Sequence, residues 1–292
     1  MAYGLNDMWF ICLRPRTKES LLEDTASPFM VVPNPNGGWA ADPFLIEYEG
    51  LLYIFAEVYS YKTLRGSIGY CTYDGANFSD WCVVISDDTH YSYPYIFERD
   101  DEIFMMPENG DNNGVSLYKA KRFPDVWEHV KVLYEGAPLA DTTPLPNDTL
   151  LSYLDCHSIN TEETVCSLKL LKDGVIVDER KDPYEQMRPA GRIFEHNGEI
   201  LRQAQDCSTF YGGALNFYSI EFCDDKLPKE VLVKHINPEQ INVDLPGLKL
   251  LNWLKGTHTY NFSEHYEVVD VEVRNVSPRF FMRKVKKKLL KK

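Results

Sequence analysis

The chain has no apolar run near the ~20 residues that a membrane-crossing helix needs, which excludes a helical span from its 292 residues. It has no cysteine spacing of the zinc-binding kind. The seven cysteines, at 12, 71, 82, 156, 166, 207 and 223, are odd in number and contain no CxxC, so free thiols in a reducing compartment are the expectation. No GxxxxGK or GxGxxG stretch is present, which removes the known glycine loops that cradle phosphate. Helical periodicity is confined to the last fifteen residues. Basic residues are scarce before that point: eight of the 31 Lys and Arg lie in 279–292, leaving 23 against 44 acids over residues 1–278, a balance of −21. A body so charged repels nucleic acid. The first residues, MAYGLNDMWFICLRPRT, show no basic region followed by an apolar one, so the expected location is the cytoplasm.

What is abundant is aromatic and strand-forming. With 44% apolar residues, 18 Tyr and 15 Phe, the composition suits pleated, half-buried surfaces. WAADPFLIEYEGLLYIFAE (39–57) opens on Asp42, runs as a short apolar strand, turns at Glu49-Gly50 and returns to a second carboxylate, Glu57. Because a hairpin brings its two ends together, both acids should emerge on one sheet edge.

The layout recurs. SYPYIFERDDEIFMMPE (92–108) places Tyr93 and Glu108 at the two ends, ADTTPLPNDTLLSYLD (140–155) places Asp141 and Asp155, and RPAGRIFEHNGEILRQAQD (188–206) places Arg188 and Asp206 around an Asn197-Gly198 turn. Starts at 42, 93, 141 and about 190 give a period of roughly 48–51 residues, with two further strands in each interval, which is the signature of four-stranded propeller blades. The C-terminal GTHTYNFSEHYEVVDVEVR (256–274) lacks a full blade unless the strand Met8–Leu13 completes it. The expectation is an all-β, five-bladed β-propeller over residues 1–276, closed by its N- and C-terminal strands and followed by a short basic amphipathic helix at 277–292.

In such a ring the inner strands start at one face of the central channel. Asp42, Tyr93, Asp141 and Arg188 should converge there, with Glu57, Glu108, Asp155 and Asp206 ending the returning strands on the same face. Carboxylates crowded into one cleft have their pKa values pushed apart by like charge and burial, which makes one an acid and another a base. Trp39, Tyr91, Tyr93 and Tyr211 offer flat faces on which a sugar could stack. Gly212-Gly213 suits a close backbone approach or a bulge.

The Ala41-Asp42-Pro43 opening, the GLLYIF return strand and the Asp-led third repeat resemble the five-bladed propellers of glycoside hydrolase families 43 and 32. WAADPFLIEYEG, SYPYIFERDDEIFMMPE, RPAGRIFEHNGEI, QDCSTFYGGAL and THTYN are more similar still to the N-terminal propeller of the plant glucosamine inositolphosphorylceramide transferases, whose bacterial relatives sit in surface-polysaccharide loci. The hydrolase resemblance implies Asp42 as general base and Asp141 as the residue that tunes the acid. It also implies His258, in THTYN, near a calcium ion in the central channel. The fourth blade departs from it: Met187-Arg188-Pro189-Ala190 stands where the general acid Glu would open that blade. A guanidinium donates no proton near pH 7, so Glu108 or Glu57 would have to serve, and Arg188 would suit a phosphate.

Three functions follow as expectations. One is sugar handling in surface-glycan biosynthesis, by glycosyl transfer or acceptor binding, on a phosphate- or lipid-linked substrate. A second is an inverting hydrolase, and a third a non-catalytic sugar-binding module. The segment RFFMRKVKKKLLKK (279–292) collects Phe280, Phe281, Val285, Leu289 and Leu290 largely on one helical face amid eight basic residues, which would hold the protein to an anionic membrane surface at the inner face.

Overall fold

A computed structural model describes residues 7–17, 20–158, 161–244 and 252–275. Tight hairpins organise it. Glu49-Gly50 (φ 49° and 80°), Asp100-Asp101 (55° and 59°), Asp173-Gly174 (49° and 78°) and Asn197-Gly198 (52° and 82°) each put two left-handed residues between paired strands. That geometry matches the natural twist of the strands it joins.

Five sheets result, antiparallel except where Phe29–Val31 pairs in parallel with Val243–Asp244 at the edge of the fifth. The first holds Gly38–Tyr48, Leu51–Ser60, Arg65–Tyr73 and Cys82–Ile85, and the second Ser92–Arg99, Glu102–Glu108, Gly114–Arg122 and Val126–Glu135. The third holds Leu139–Pro144, Leu150–Leu154, Ser167–Lys172 and Val175–Lys181. In the fourth the inner strand is broken into Arg188–Pro189 and Phe194–His196, followed outward by Glu199–Asp206, Ala214–Cys223 and Lys226–Ile236. The fifth is made from both ends of the chain: Tyr266–Asn275 pairs with Tyr260–Phe262 and Asn252–Gly256 on one side and with Asp7–Pro15 on the other. The protein is a five-bladed β-propeller closed by its N- and C-terminal strands, as the repeat spacing predicts. The expected helix at 277–292 lies outside the described residues. Among the described residues no helix is long and apolar enough to cross a membrane.

Aromatic and aliphatic side chains weld the blades together. Phe44 and Phe55 of the first pack with Tyr93, Tyr95, Ile96 and Met105 of the second, each group of this size contributing about 1.5–3 kcal/mol by burial. The channel is filled below its upper mouth. The Tyr93 hydroxyl meets Thr143 Oγ1 at 2.8 Å and donates to the Gly191 carbonyl at 3.3 Å. Further down, Arg192 donates to the carbonyls of Leu45 and Ile96 and lies over the rings of Phe44 and Tyr95.

One backbone device recurs at the channel mouth. In the first three blades the pairing slips between Ala41 and Phe44, Ser92 and Tyr95, and Ala140 and Thr143. Inside each slip one residue turns left-handed: Asp42 (φ 52°), Tyr93 (42°) and Asp141 (49°). Such bulges re-aim a side chain out of the regular alternation. In these three strands they send it into the ring's axis.

Candidate functional site

A cavity of about 240 Å³ opens on this face, with Asp42, Glu57, Glu108, Asp155, Arg188 and Tyr211 in its walls. Arg188 is its organising group. The Nε donates to Asp141 Oδ2 at 2.5 Å, Nη1 to Asp155 Oδ2 at 3.3 Å and Nη2 to Glu108 Oε2 at 3.4 Å, while the guanidinium lies 5.3 Å from the Tyr211 ring centre. Asp141 sits beneath it, 1% exposed, also accepting from Gln205 Nε2 at 2.9 Å. Its backbone N–H donates to Glu108 Oε2 at 3.1 Å.

A second network lies across the cavity. His258 Nδ1 is 2.7 Å from Asp270 Oδ2 and 3.2 Å from Asp42 Oδ1, and its ring stacks on Trp9 at 3.9 Å. Thr259 Oγ1 donates to Asp42 Oδ1 at 2.8 Å. Gly212 (φ 63°) makes the stack possible, since a Cβ there would stand 3.1 Å from Trp9 and 3.2 Å from His258.

The two networks split the acids' proton affinities. Burial, and then the Asp141 charge, push the Glu108 carboxyl well above the usual range, with Arg188 opposing them. Asp42 rises to about 7: burial raises it, His258 opposes, and Asp141 and Asp270 add repulsion. For His258 burial acts downward, but Asp270 and then Asp42 outweigh it and lift the ring to about 9. Glu108 therefore holds a proton more strongly than an ordinary carboxyl, while at neutral pH Asp42 is poised between its two forms and His258 is a cation.

The family description "Glucosamine inositolphosphorylceramide transferase 1, N-terminal" matches residues 30–243. The chain belongs to this family. It is 30% identical over 226 residues to glucosamine inositolphosphorylceramide transferase 1 of Oryza sativa subsp. indica and 29% identical over 206 residues to that of Arabidopsis thaliana. Those matches cover 71% and 66% of this chain but 30% and 27% of the relatives, so the chain spans less than a third of their length. Among solved structures, a thermostable family-43 glycoside hydrolase superposes with a TM-score of 0.53 at 12% identity, covering 84% of this chain and 95% of that one. A Coprinopsis cinerea GH62 α-L-arabinofuranosidase gives 0.52 at 10% identity, covering 81% and 91%. At such identities the likeness is one of fold.

This member of the transferase-type propeller family places its sequence-derived candidates unevenly. Asp42, Glu57, Glu108, Arg188 and Tyr211 line the cavity, with Asp141 directly below Arg188. Trp39 and Tyr93, read as sugar platforms, are corrected by their surroundings. Trp39 is 1% exposed and stacked on Tyr59 at 4.5 Å, and Tyr93 is fully buried in the channel, so neither offers a ring face to a ligand. Tyr91 is likewise buried, its hydroxyl on Asp87. Asp206 does not reach the cavity; it caps the turn after its strand by accepting from the Ser208 N–H and hydroxyl and from Gln186. Arg188 is also unlike the phosphate fork expected of it, because three acidic side chains already occupy its donors.

Three participants escaped the sequence reading. Asp270 stands in an inward position of the apolar strand VVDVEV, which was the available signal. Gln205 alternates inward beside Arg188 in the same way. His90, whose Nε2 is 3.2 Å from Glu57 Oε1, accepts the Gly66 N–H at Nδ1, which fixes the tautomer carrying a proton toward Glu57. Nothing local marks it.

The Asp42–His258–Asp270 group does not fit the calcium ion that the hydrolase resemblance implies. Asp270 accepts the backbone N–H groups of His258 and Thr259 on one oxygen and that of Asp42, with the imidazole, on the other. Calcium takes six to eight oxygen ligands. Here the oxygens face N–H donors and a cation holds the centre.

Proposed function

We propose that the upper cavity binds a sugar in glycoconjugate synthesis and serves glycosyl transfer, with Glu108 as the acid and Asp42 as the base. What carries the reading is the meeting in one cavity of Asp42, Glu57, Asp155 and Glu108, the last of which burial and the Asp141 charge make a stronger holder of a proton. Such walls accept hydrogen bonds from sugar hydroxyls, and their negative excess suits a neutral or amino sugar better than a free phosphate. Asp42, near its midpoint at neutral pH, can take the proton of an acceptor hydroxyl, while Glu108 gives one to the departing oxygen. Arg188 disfavours hydrolysis. It is tied to Asp141, Asp155 and Glu108 at the fourth-blade position where the hydrolase resemblance implies a proton-donating Glu, and a guanidinium gives up no proton near pH 7. Family membership points the same way, toward proteins named for glucosamine transfer to inositolphosphorylceramide. The basic segment 279–292 adds a lipid-surface location on the cytoplasmic side, suited to a lipid-linked substrate.

The test is ligand-observed NMR of the purified chain with glucosamine, N-acetylglucosamine and xylose, together with transfer from activated forms of these sugars to an inositol-phosphate lipid. Binding and transfer, with transfer falling about 100-fold or more in Glu108→Gln while binding persists, is the expected result. Binding without turnover would make this a sugar-recognition module. Absence of both would overturn the reading.

A further inference from the structure

Beside the sugar cavity lies a second hollow of about 350 Å³, with Asp155, His157, Arg188, Cys166, Cys207 and Tyr211 in its walls. At their junction the turn after Leu150–Leu154 brings Asp155, Cys156 and His157 against Cys166, the residue that precedes Ser167–Lys172. One ligand atom from each of these four residues lies within 4.8 Å of the others. We propose that Asp155, Cys156, His157 and Cys166 form a binding site for a thiophilic divalent cation, Zn²⁺ being the best fit.

Two thiolates, an imidazole and a carboxylate are a zinc donor set. With Zn–S near 2.3 Å and Zn–N near 2.0 Å, tetrahedral ligands stand about 3.3–3.8 Å apart. The observed cluster needs only a small contraction to reach that. Its surroundings are built for the purpose. His157 Nε2 is 3.1 Å from Glu185 Oε1, which leaves Nδ1 for the metal and supplies the outer carboxylate that orients metal-bound imidazoles. The Cys156 N–H points at Cys166 Sγ at 3.1 Å, a bond that favours the thiolate. The ring of His157 is 57% exposed and gives an ion a way in.

The site is wired to the sugar cavity. Asp155 turns Oδ1 toward the His157 N–H and Cys166 and gives Oδ2 to Arg188. A metal on Oδ1 withdraws charge from Arg188, leaving it more tightly engaged with Asp141 and Glu108. This link to the cavity does not depend on which reaction, if any, the cavity performs.

Co²⁺ titrated into the reduced, metal-free full chain is the decisive measurement. The expected result is a thiolate-to-cobalt charge-transfer band, displaced by equimolar Zn²⁺ and absent in both Cys156→Ser and Cys166→Ser, with the buried Cys71→Ser unaffected. Because Cys166 is buried and its variant can misfold, the exposed His157→Ala provides an independent arm, weakening Zn²⁺ about 100-fold, and Glu185→Gln about 10-fold. A band that survives in Cys156→Ser and His157→Ala, cobalt bound without thiolate character, or a Cys156–Cys166 disulfide persisting under reductant would each overturn the proposal.

Discussion

Arg188 Nε sits 2.5 Å from Asp141 Oδ2, joining the fourth blade to the third at a point where both side chains are nearly sealed from water. The pair explains how a ring can tolerate several acids at its axis: one guanidinium meets three of them.

Arg188→Ala should therefore destabilise the fold by about 3–5 kcal/mol, the scale for stripping the partner from a buried charge. Arg188→Lys keeps the charge but loses the planar fork and should fall between the variant and the parent. Urea denaturation at neutral pH measures both. Wild-type stability in Arg188→Ala would mean that the acids are neutralised by protonation alone.

His258 makes stability depend on pH. Its folded-state value, about 9, lies above the ordinary 6.5, so its contribution is complete below about 6.5 and is lost as pH rises through 9. Asp42, raised to about 7 from 3.8, acts in the same direction between those two values, because the folded state holds its proton longer. Thermal melts should decline from pH 6.5 to 9, on the order of 2–3 kcal/mol for the His258 part. In His258→Gln that window should flatten; an unchanged slope would assign the decline elsewhere.

Gly212→Ala and Gly50→Ala separate strain from crowding. Both glycines have positive φ, 63° and 80°, but a Cβ at Gly50 meets open space whereas one at Gly212 meets Trp9 and His258. Gly50→Ala should cost about 1 kcal/mol, Gly212→Ala about 2–3 kcal/mol with a shifted His258 titration. NMR titration of the histidine, alongside thermal melts, distinguishes them.

The basic segment can be tested on vesicles. The full chain should sediment with anionic vesicles and not neutral ones, and a chain ending at Pro278 should lose most of that binding, since each basic residue near such a surface adds about 1 kcal/mol. Equal sedimentation of the two chains would dispose of the membrane role.

The blade repeat was legible because it is local. Hairpin turns such as Glu49-Gly50 and Asn197-Gly198, and acids at fixed offsets from them, are written within some twenty residues. Asp42, Glu108 and Arg188 could thus be placed on one face. What pairs with what could not, because those contacts join residues far apart in sequence. Arg188 meets Glu108 across 80 positions, and Thr259 meets Asp42 across 217. Tyr93 shows the limit: its bulge matches those at Asp42 and Asp141, yet its longer side chain fills the axis instead of lining the cavity. The cysteines at 156 and 166 looked scattered because the turn that gathers them has no signature of its own.

The clasp of the fifth blade fixes where anything joined to the ring must leave it. Asp7 pairs with Arg274, and Trp9, two residues further on, stacks on His258 at the cavity's edge. Both ends of the described ring therefore emerge on the rim of the cavity and not at the opposite face. The first and last described strands thus begin and end on the same side of the ring as Asp42.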